Sequence, residues 1–177
     1  MLSPHLLICS KDFVSQSAPL TQQDFHAWLL GFTSDDVLGF YNSGPIAGAS
    51  QPHRHMQLVK ANIPLEPCII SGQLPFHHVL YPQQSLDAKT LHQSYLDALV
   101  RLSLMDEDGR ESAACLPYNI LLTARWMLVL PRSQNNIEKV FANALNYSGR
   151  FLVKRPEQLA WLKQYGLFRY LTECSVG

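Results

Sequence analysis

The stretch "YNILLTARWMLVLPRS", Tyr118 to Ser133, restricts the fold more than any other part of this chain. Two apolar runs flank Thr123, Ala124 and Arg125, and in the second run Trp126, Leu128 and Leu130 alternate with Met127 and Val129. Successive residues of a strand point to opposite faces, so both faces of this segment are apolar and neither suits water. The expectation is a pair of strands joined at a tight turn and placed centrally in a sheet. With 177 residues, 47% hydrophobic and 16% charged, the chain has enough apolar material for the core of one domain and lies far from the composition of disordered segments.

The other elements read as strands interleaved with a few helices. "HLLICS", His5 to Ser10, is a short strand ready for burial. In "PLTQQDFHAWLLGF", Thr21 and Asp24 form a capping-box-like start, and Phe25, Trp28, Leu29 and Phe32 follow at helical spacing. Trp28 and Phe32 are read as core rather than as a shelf for a base. "DVLGFYN" returns to strand character, and Gly44, Pro45 and Gly48 make a turn that leads into a second strand, "HRHMQLV", as its hairpin-like partner. Residues 60–81 are rich in Pro and show no sustained period. Leu91, Tyr95, Ala98, Leu99 and Leu102 fit a helix that fades into the acidic stretch "MDEDGRES", expected to be a solvated loop. Near the end, Pro156 opens a helix that Gly166 closes. The sum is an α+β domain with an antiparallel sheet and flanking helices.

The most distinctive chemistry lies in "GASQPHRHMQLV", Gly48 to Val59. His53, His55 and Gln57 share one face of a strand and Arg54, Met56 and Leu58 the other, with same-face neighbours roughly 6 to 7 Å apart. One substrate group can meet all three. The preceding loop "NSGPIAGAS" contains glycines that let backbone N–H groups turn toward a ligand, with Asn42 and Ser50 as side-chain donors, and reads as a cradle for phosphate. A neutral imidazole can attack phosphorus and leave again near pH 7. The amide of Gln57 can hold a non-bridging oxygen but cannot deliver a proton, so the leaving group should be a good one, such as a polyphosphate. Two other readings stay open on these residues alone: a structural pair of histidines, or a metal site completed by His77 or His78. Arg132 is read as a solvated arginine at a strand end, and Tyr118 and Asn119 as structural.

Taken together, Asn42, Gly44, "GASQPHRHMQ" and "PYNILLTARWMLVLPRS" resemble the diadenosine tetraphosphate phosphorylases, also called ATP adenylyltransferases, of the histidine-triad-like (HIT-like) superfamily. In that superfamily His-x-His-x-His marks the hydrolase branch and His-x-His-x-Gln the transferase branch, and Gln57 occupies the third place. Galactose-1-phosphate uridylyltransferases share His-x-His-x-Gln but carry Pro between the histidines, where this chain has Arg54. The resemblance runs from "HLLICSKDF" to "NALNYSGRFLVKRPEQLAWLKQYG". It implies one HIT-like domain over 1–177, with the histidine strand in an amino-terminal sheet portion, 1–60, and a carboxy-terminal ATP adenylyltransferase-like segment, 115–177.

The resemblance also implies roles. His55 is the nucleophile that takes AMP from the substrate, His53 orients or polarises the site, and Gln57 stabilises the adenylylated histidine. Asn42, Gly48 and Ser50 fall where the family places phosphate contacts, and Gln51 belongs to the "GASQ" signature. The implied partners are dinucleoside polyphosphate, ATP, ADP and phosphate. No cofactor is required, and a divalent cation is compatible with a polyphosphate ligand. Family members carry a substantial part ahead of the "HLLI" strand, so an incomplete base pocket and an exposed sheet edge are expected here; such an edge invites a homodimer. A nucleotide-binding remnant without turnover, or a truncated fragment of such an enzyme, is the alternative.

The balance of 14 basic against 14 acidic residues provides no global field for nucleic acid or an acidic membrane, and no apolar run approaches a membrane span. Cys9, Cys68, Cys115 and Cys174 form no CxxC pair, which fits a reducing, cytoplasmic setting.

Overall fold

The computed structural model describes residues 5–105 and 115–176. The acidic stretch 106–112, expected to be a solvated loop, lies outside them.

Six strands, β1 (His5–Cys9), β2 (Val37–Asn42), β3 (His55–Lys60), β4 (Val79–Pro82), β5 (Tyr118–Leu122) and β6 (Trp126–Pro131), form one sheet in the order β1-β3-β2-β5-β6-β4. Every neighbouring pair is antiparallel. The two-sided apolar segment becomes β5 and β6, turned at Thr123, whose hydroxyl accepts the backbone N–H groups of Arg125 and Trp126 at 3.1 Å each. β2 and β5 are the two middle strands, and every residue of β2, β5 and β6 is buried. β1 is not buried as its apolar composition predicts. It forms one edge of the sheet, and Leu6 and Leu7 are each 52% exposed, because among the described residues only β3 pairs with it.

Period-two alternation divides the apolar side chains into two cores. Tyr41, Met56, Leu58, Tyr118, Ile120, Met127 and Val129 face α1 (Gln22–Leu29) and α3 (Ala88–Arg101). The Thr21–Asp24 capping box forms as expected: Asp24 N donates to Thr21 Oγ1 at 3.2 Å and Thr21 N to Asp24 Oδ2 at 2.7 Å. It starts α1 so that Phe25 and Trp28, both fully buried, point at the sheet. Gly39 makes room for Trp28 and Phe32, since a Cβ there would lie 3.0 Å from the Trp28 indole and 2.8 Å from the Phe32 ring. Trp28 thereby reaches across β2 and donates its indole N–H to the Gln57 carbonyl at 3.2 Å.

Leu38, Phe40, Val59, Leu121, Trp126, Leu128 and Leu130 form the other core, covered by shorter pieces. These are α2 (Glu66–Ile70), the small hairpin β7 (Asn136–Ile137) and β8 (Val140–Phe141), a 3-10 helix (Ala144–Ser148), α4 (Pro156–Tyr165) and α5 (Leu167–Cys174). α2 falls in the Pro-rich stretch that shows no period. It is pinned by Glu66, whose carboxylate accepts from Arg125 at 2.6 Å and from the Trp126 indole at 2.8 Å. Gly166 ends α4 as expected and, at φ +97°, also supplies the bend into α5.

Candidate functional site

The site forms where β2 and β3 part. Their pairing runs from Val37↔Lys60 to Phe40↔Gln57, and the next level, where Asn42 and His55 would meet, is filled by the side chain of Gln16. Only 1% of Gln16 is exposed. Its Oε1 accepts the His55 N–H at 2.8 Å, while its Nε2 donates to the carbonyls of Asn42 at 2.6 Å and His55 at 3.2 Å. The backbone beside it takes over as partner of the histidine segment, with Arg54 N donating to Val14 O and Gln16 N to Pro52 O, both at 2.8 Å. Gln16 and its neighbours thus satisfy the backbone groups that the parting of the two strands would leave bare.

Along β3 the side chains alternate as the sequence implies. Arg54 is buried against the helix side, where it meets Asp24 at 2.8 Å and the carbonyls of Ala18 and Pro19 at 2.9 and 2.8 Å. The cap of α1 is therefore tied to the histidine strand. His55, 5% exposed, has its Nδ1 2.8 Å from its own strand's His53 carbonyl. A carbonyl only accepts, so Nδ1 carries a proton, and in the neutral ring the lone pair is on Nε2. That Nε2 has no hydrogen-bond partner among the described residues. His53 is turned outward: its Nε2 lies 3.2 Å from the Asp12 carbonyl and 2.9 Å from Ser10 Oγ, which itself donates to Asp12 O. The exposed ring of Phe13 lies against it at 5.7 Å between centroids. Gln57 is half-buried, its Oε1 3.0 Å from His5 Nε2 across the β1–β3 pair.

Asn42 sits at the end of β2, 2% exposed. Its Oδ1 accepts from Asn119 Nδ2 at 2.9 Å and from the Ala144 N–H at 2.8 Å, which ties the sheet to the 3-10 helix. Its Nδ2 donates to nothing among the described residues, so that donor is free for a ligand. Gly48 contributes differently from expectation. Its N–H donates to Pro45 O at 2.9 Å within the loop, and a Cβ there would lie 2.6 Å from Ala142 O. With φ at +94°, Gly48 is required for a close seat of the loop on 142–143 rather than as a free donor. Ser50 and Gln51 are exposed at the loop's far end, and neither side chain is bonded within the described residues. The structure therefore gathers His53, His55, Gln57 and Asn42 around the divergence, with Ser50 and Gln51 on the rim.

Arg132 overturns the expectation of a solvated strand-end arginine, for it is 3% exposed beneath this loop. It donates to Cys174 O at 2.8 Å, Asn119 Oδ1 at 2.5 Å, Gln134 O at 2.6 Å, Ala47 O at 3.2 Å and Ala142 O at 3.4 Å, and the Tyr147 ring lies 5.2 Å away. None of the salt bridges among the described residues includes it. A buried cation balanced only by dipoles leaves a positive field under the loop. Asn119, held by Arg132, passes the arrangement on, its Nδ2 bonding both Asn42 Oδ1 and Ala47 O at 2.9 Å. Asn119 left a faint signal, a polar residue inside an apolar run. Gln16 and His5 left none, because their roles depend on partners 39 and 52 residues away.

Among the described residues no group of three or more His, Cys, Asp and Glu side chains is placed to hold a metal ion. His78 Nδ1 donates instead to the Phe76 carbonyl at 2.8 Å. A cleft of about 880 Å³ lined by Leu20, Arg54, His92 and Leu96 opens on the helix side of the sheet, the face opposite His55.

Known proteins resemble this chain over most of its length. The chain matches the model of the Ap4A phosphorylase N-terminal domain over residues 1–81 and that of the ATP adenylyltransferase C-terminal domain over residues 72–177. Diadenosine 5',5'''-P1,P4-tetraphosphate phosphorylase 2 of Saccharomyces cerevisiae is 29% identical over 194 residues, which span 88% of this chain and 60% of that protein. Protein APA1 of the same yeast is 25% identical, over 89% of this chain and 60% of its own. The chain thus spans about 60% of the length of these curated relatives. The crystal structure of yeast Ap4A phosphorylase Apa2 in complex with AMP superposes with a TM-score of 0.81 at 26% identity, covering 97% of this chain and 68% of that one. The same enzyme in complex with Ap4A gives 0.79 at 25% identity, over 98% and 70%.

Proposed function

The chain belongs to the ATP adenylyltransferase and Ap4A phosphorylase family, and from that premise we propose that it transfers AMP through a covalent histidine intermediate. His55 Nε2 attacks the α-phosphorus of a dinucleoside tetraphosphate, the α–β bridging bond breaks, and ATP departs. Inorganic phosphate then attacks the adenylylated histidine, releasing ADP and returning the imidazole to its starting state. The observation that carries this reading is the tautomer of His55: Nδ1–H is bonded to the His53 carbonyl at 2.8 Å and the lone pair is on Nε2. The same carbonyl stabilises the positive charge the ring acquires as the N–P bond forms.

The other groups fit this chemistry. Gln57 offers an amide N–H₂ to a non-bridging oxygen, and Asn42 Nδ2 offers a second donor. The field of Arg132 favours a polyanion over the loop, with Ser50 and Gln51 at its rim. Phosphoryl chemistry of this kind depends mainly on positioning and on electrostatic stabilisation of the equatorial oxygens. No resident cofactor is invoked, and a divalent cation can accompany the polyphosphate. A reducing, cytoplasmic setting suits the four unpaired cysteines; no helix among the described residues is long and apolar enough to cross a membrane.

Incubation with α-³²P-labelled Ap4A tests the reading. An acid-labile radioactive adduct and release of ATP are expected from the natural chain, and His55→Ala should lower both by at least a thousandfold with an unchanged circular dichroism spectrum. Persistent turnover in purified His55→Ala would refute the assignment. The alternative, nucleotide binding without transfer, predicts AMP binding by calorimetry with no adduct.

A further inference from the structure

We propose that His5, on the edge strand, is a positioning residue that decides which end of the Gln57 amide faces the reacting phosphoryl group. The inference rests on the reading of Gln57 as a holder of a non-bridging oxygen. A glutamine amide has two ends of similar shape and opposite polarity. Only the N–H₂ end can bond an anionic oxygen, and the carbonyl end in its place would repel it. Nothing in the β3 backbone selects between them.

The selection comes from across the strand pair. His5 is the register partner of Val59, and the antiparallel pairing puts its side chain on the face that carries Gln57, one step along the diagonal. Its Nε2 lies 3.0 Å from Gln57 Oε1. With the proton on Nε2 His5 donates to that carbonyl end and leaves the Gln57 N–H₂ pointing away from it and available to a ligand, whereas the Nδ1–H tautomer would call for the opposite end of the amide. The imidazole is itself held in place, stacked on Phe40 with ring centroids 5.9 Å apart and planes 23° from parallel. Phe40 is 1% exposed and belongs to the core, so the stack joins an exposed side chain to a rigid platform. His5 touches no reacting atom in this scheme and acts only through Gln57.

Two measurements test this. Long-range ¹⁵N–¹H spectra of the ligand-free protein, at a pH where the ring is neutral, should show His5 as the Nε2–H tautomer, and a predominant Nδ1–H form would overturn the inference. Calorimetric titration with AMP of the natural chain, His5→Ala, Gln57→Ala and the double variant reads the coupling. His5→Ala should weaken AMP about 3- to 10-fold, the loss expected for one hydrogen bond at a partly exposed site. The same substitution should cost nothing further in the Gln57→Ala background, and His5→Gln, which keeps a donor, should recover part of the loss. If the two losses multiply instead, His5 does not act through Gln57, and the inference fails while the role of Gln57 stands. If Gln57→Ala leaves AMP affinity unchanged, the reading of Gln57 fails and the inference with it.

Discussion

The two faces of the central sheet are built by different means. The face toward α1 and α3 is closed by two helices, of 8 and 14 residues, and its polar atoms are bonded among themselves except for the buried Arg54 Nε. Tyr95 and Tyr118 share a hydroxyl bond of 2.7 Å, and Tyr41 donates to the Gln16 carbonyl at 2.5 Å. Burial raises the pKa of all three phenols, so they are neutral at physiological pH. The opposite face is assembled from several separate pieces, the longest of 10 residues, and leaves donors unspent at Asn42 and Gln57. Strand β3 belongs to both, with Met56 and Leu58 in one core and His55 and Gln57 at the site. The regular face supplies stability, and the irregular one is free to present polar groups.

Substitutions on the two faces can break this division of labour. The largest expected effect on stability is from Trp28→Ala, which empties a fully buried site on the helix face and should cost about 3–5 kcal/mol in chemical denaturation. In the fraction that stays folded, AMP affinity should fall by less than with an Arg132 substitution, even with the indole bond to the Gln57 carbonyl lost. Arg132→Met removes a buried donor set on the site face and leaves several carbonyls without partners, at about 2–3 kcal/mol. Here AMP affinity should drop by tenfold or more, because the field under the loop disappears with the charge. A Trp28→Ala protein that loses AMP as strongly as Arg132→Met would dissolve the distinction. Thr21→Ala should cost the least, about 1 kcal/mol for the lost cap, with AMP binding intact. Because Asp24 links that cap to Arg54, any loss of AMP affinity in Thr21→Ala would measure how much the helix face reaches the site.

The same contrast explains what could be read in the sequence. The start of α1 is encoded within four residues, so Thr21 and Asp24 announce it locally. The facing of His53, His55 and Gln57 follows from alternation alone, and the centrality of β5 and β6 from their two apolar faces. The site face is harder, because its pieces are short and depend on distant contacts. α2 exists because Glu66 meets Arg125 and Trp126 some 60 residues on, and α5 begins at the glycine that reads as the end of α4. Arg132 looks like a surface residue until α5 delivers the Cys174 carbonyl and the loop delivers that of Ala47. β1 reads as a buried strand because its composition is apolar, whereas exposure is decided by which strands flank it.

The wedge formed by Gln16 has a consequence for how such a site can vary among related chains. Two strands that would otherwise zip together to their ends are forked by a single side chain, so the width of the opening is a property of position 16. A shorter residue there would let the fork close onto the imidazole, and a bulkier one would spread it, while every residue that performs chemistry stayed the same.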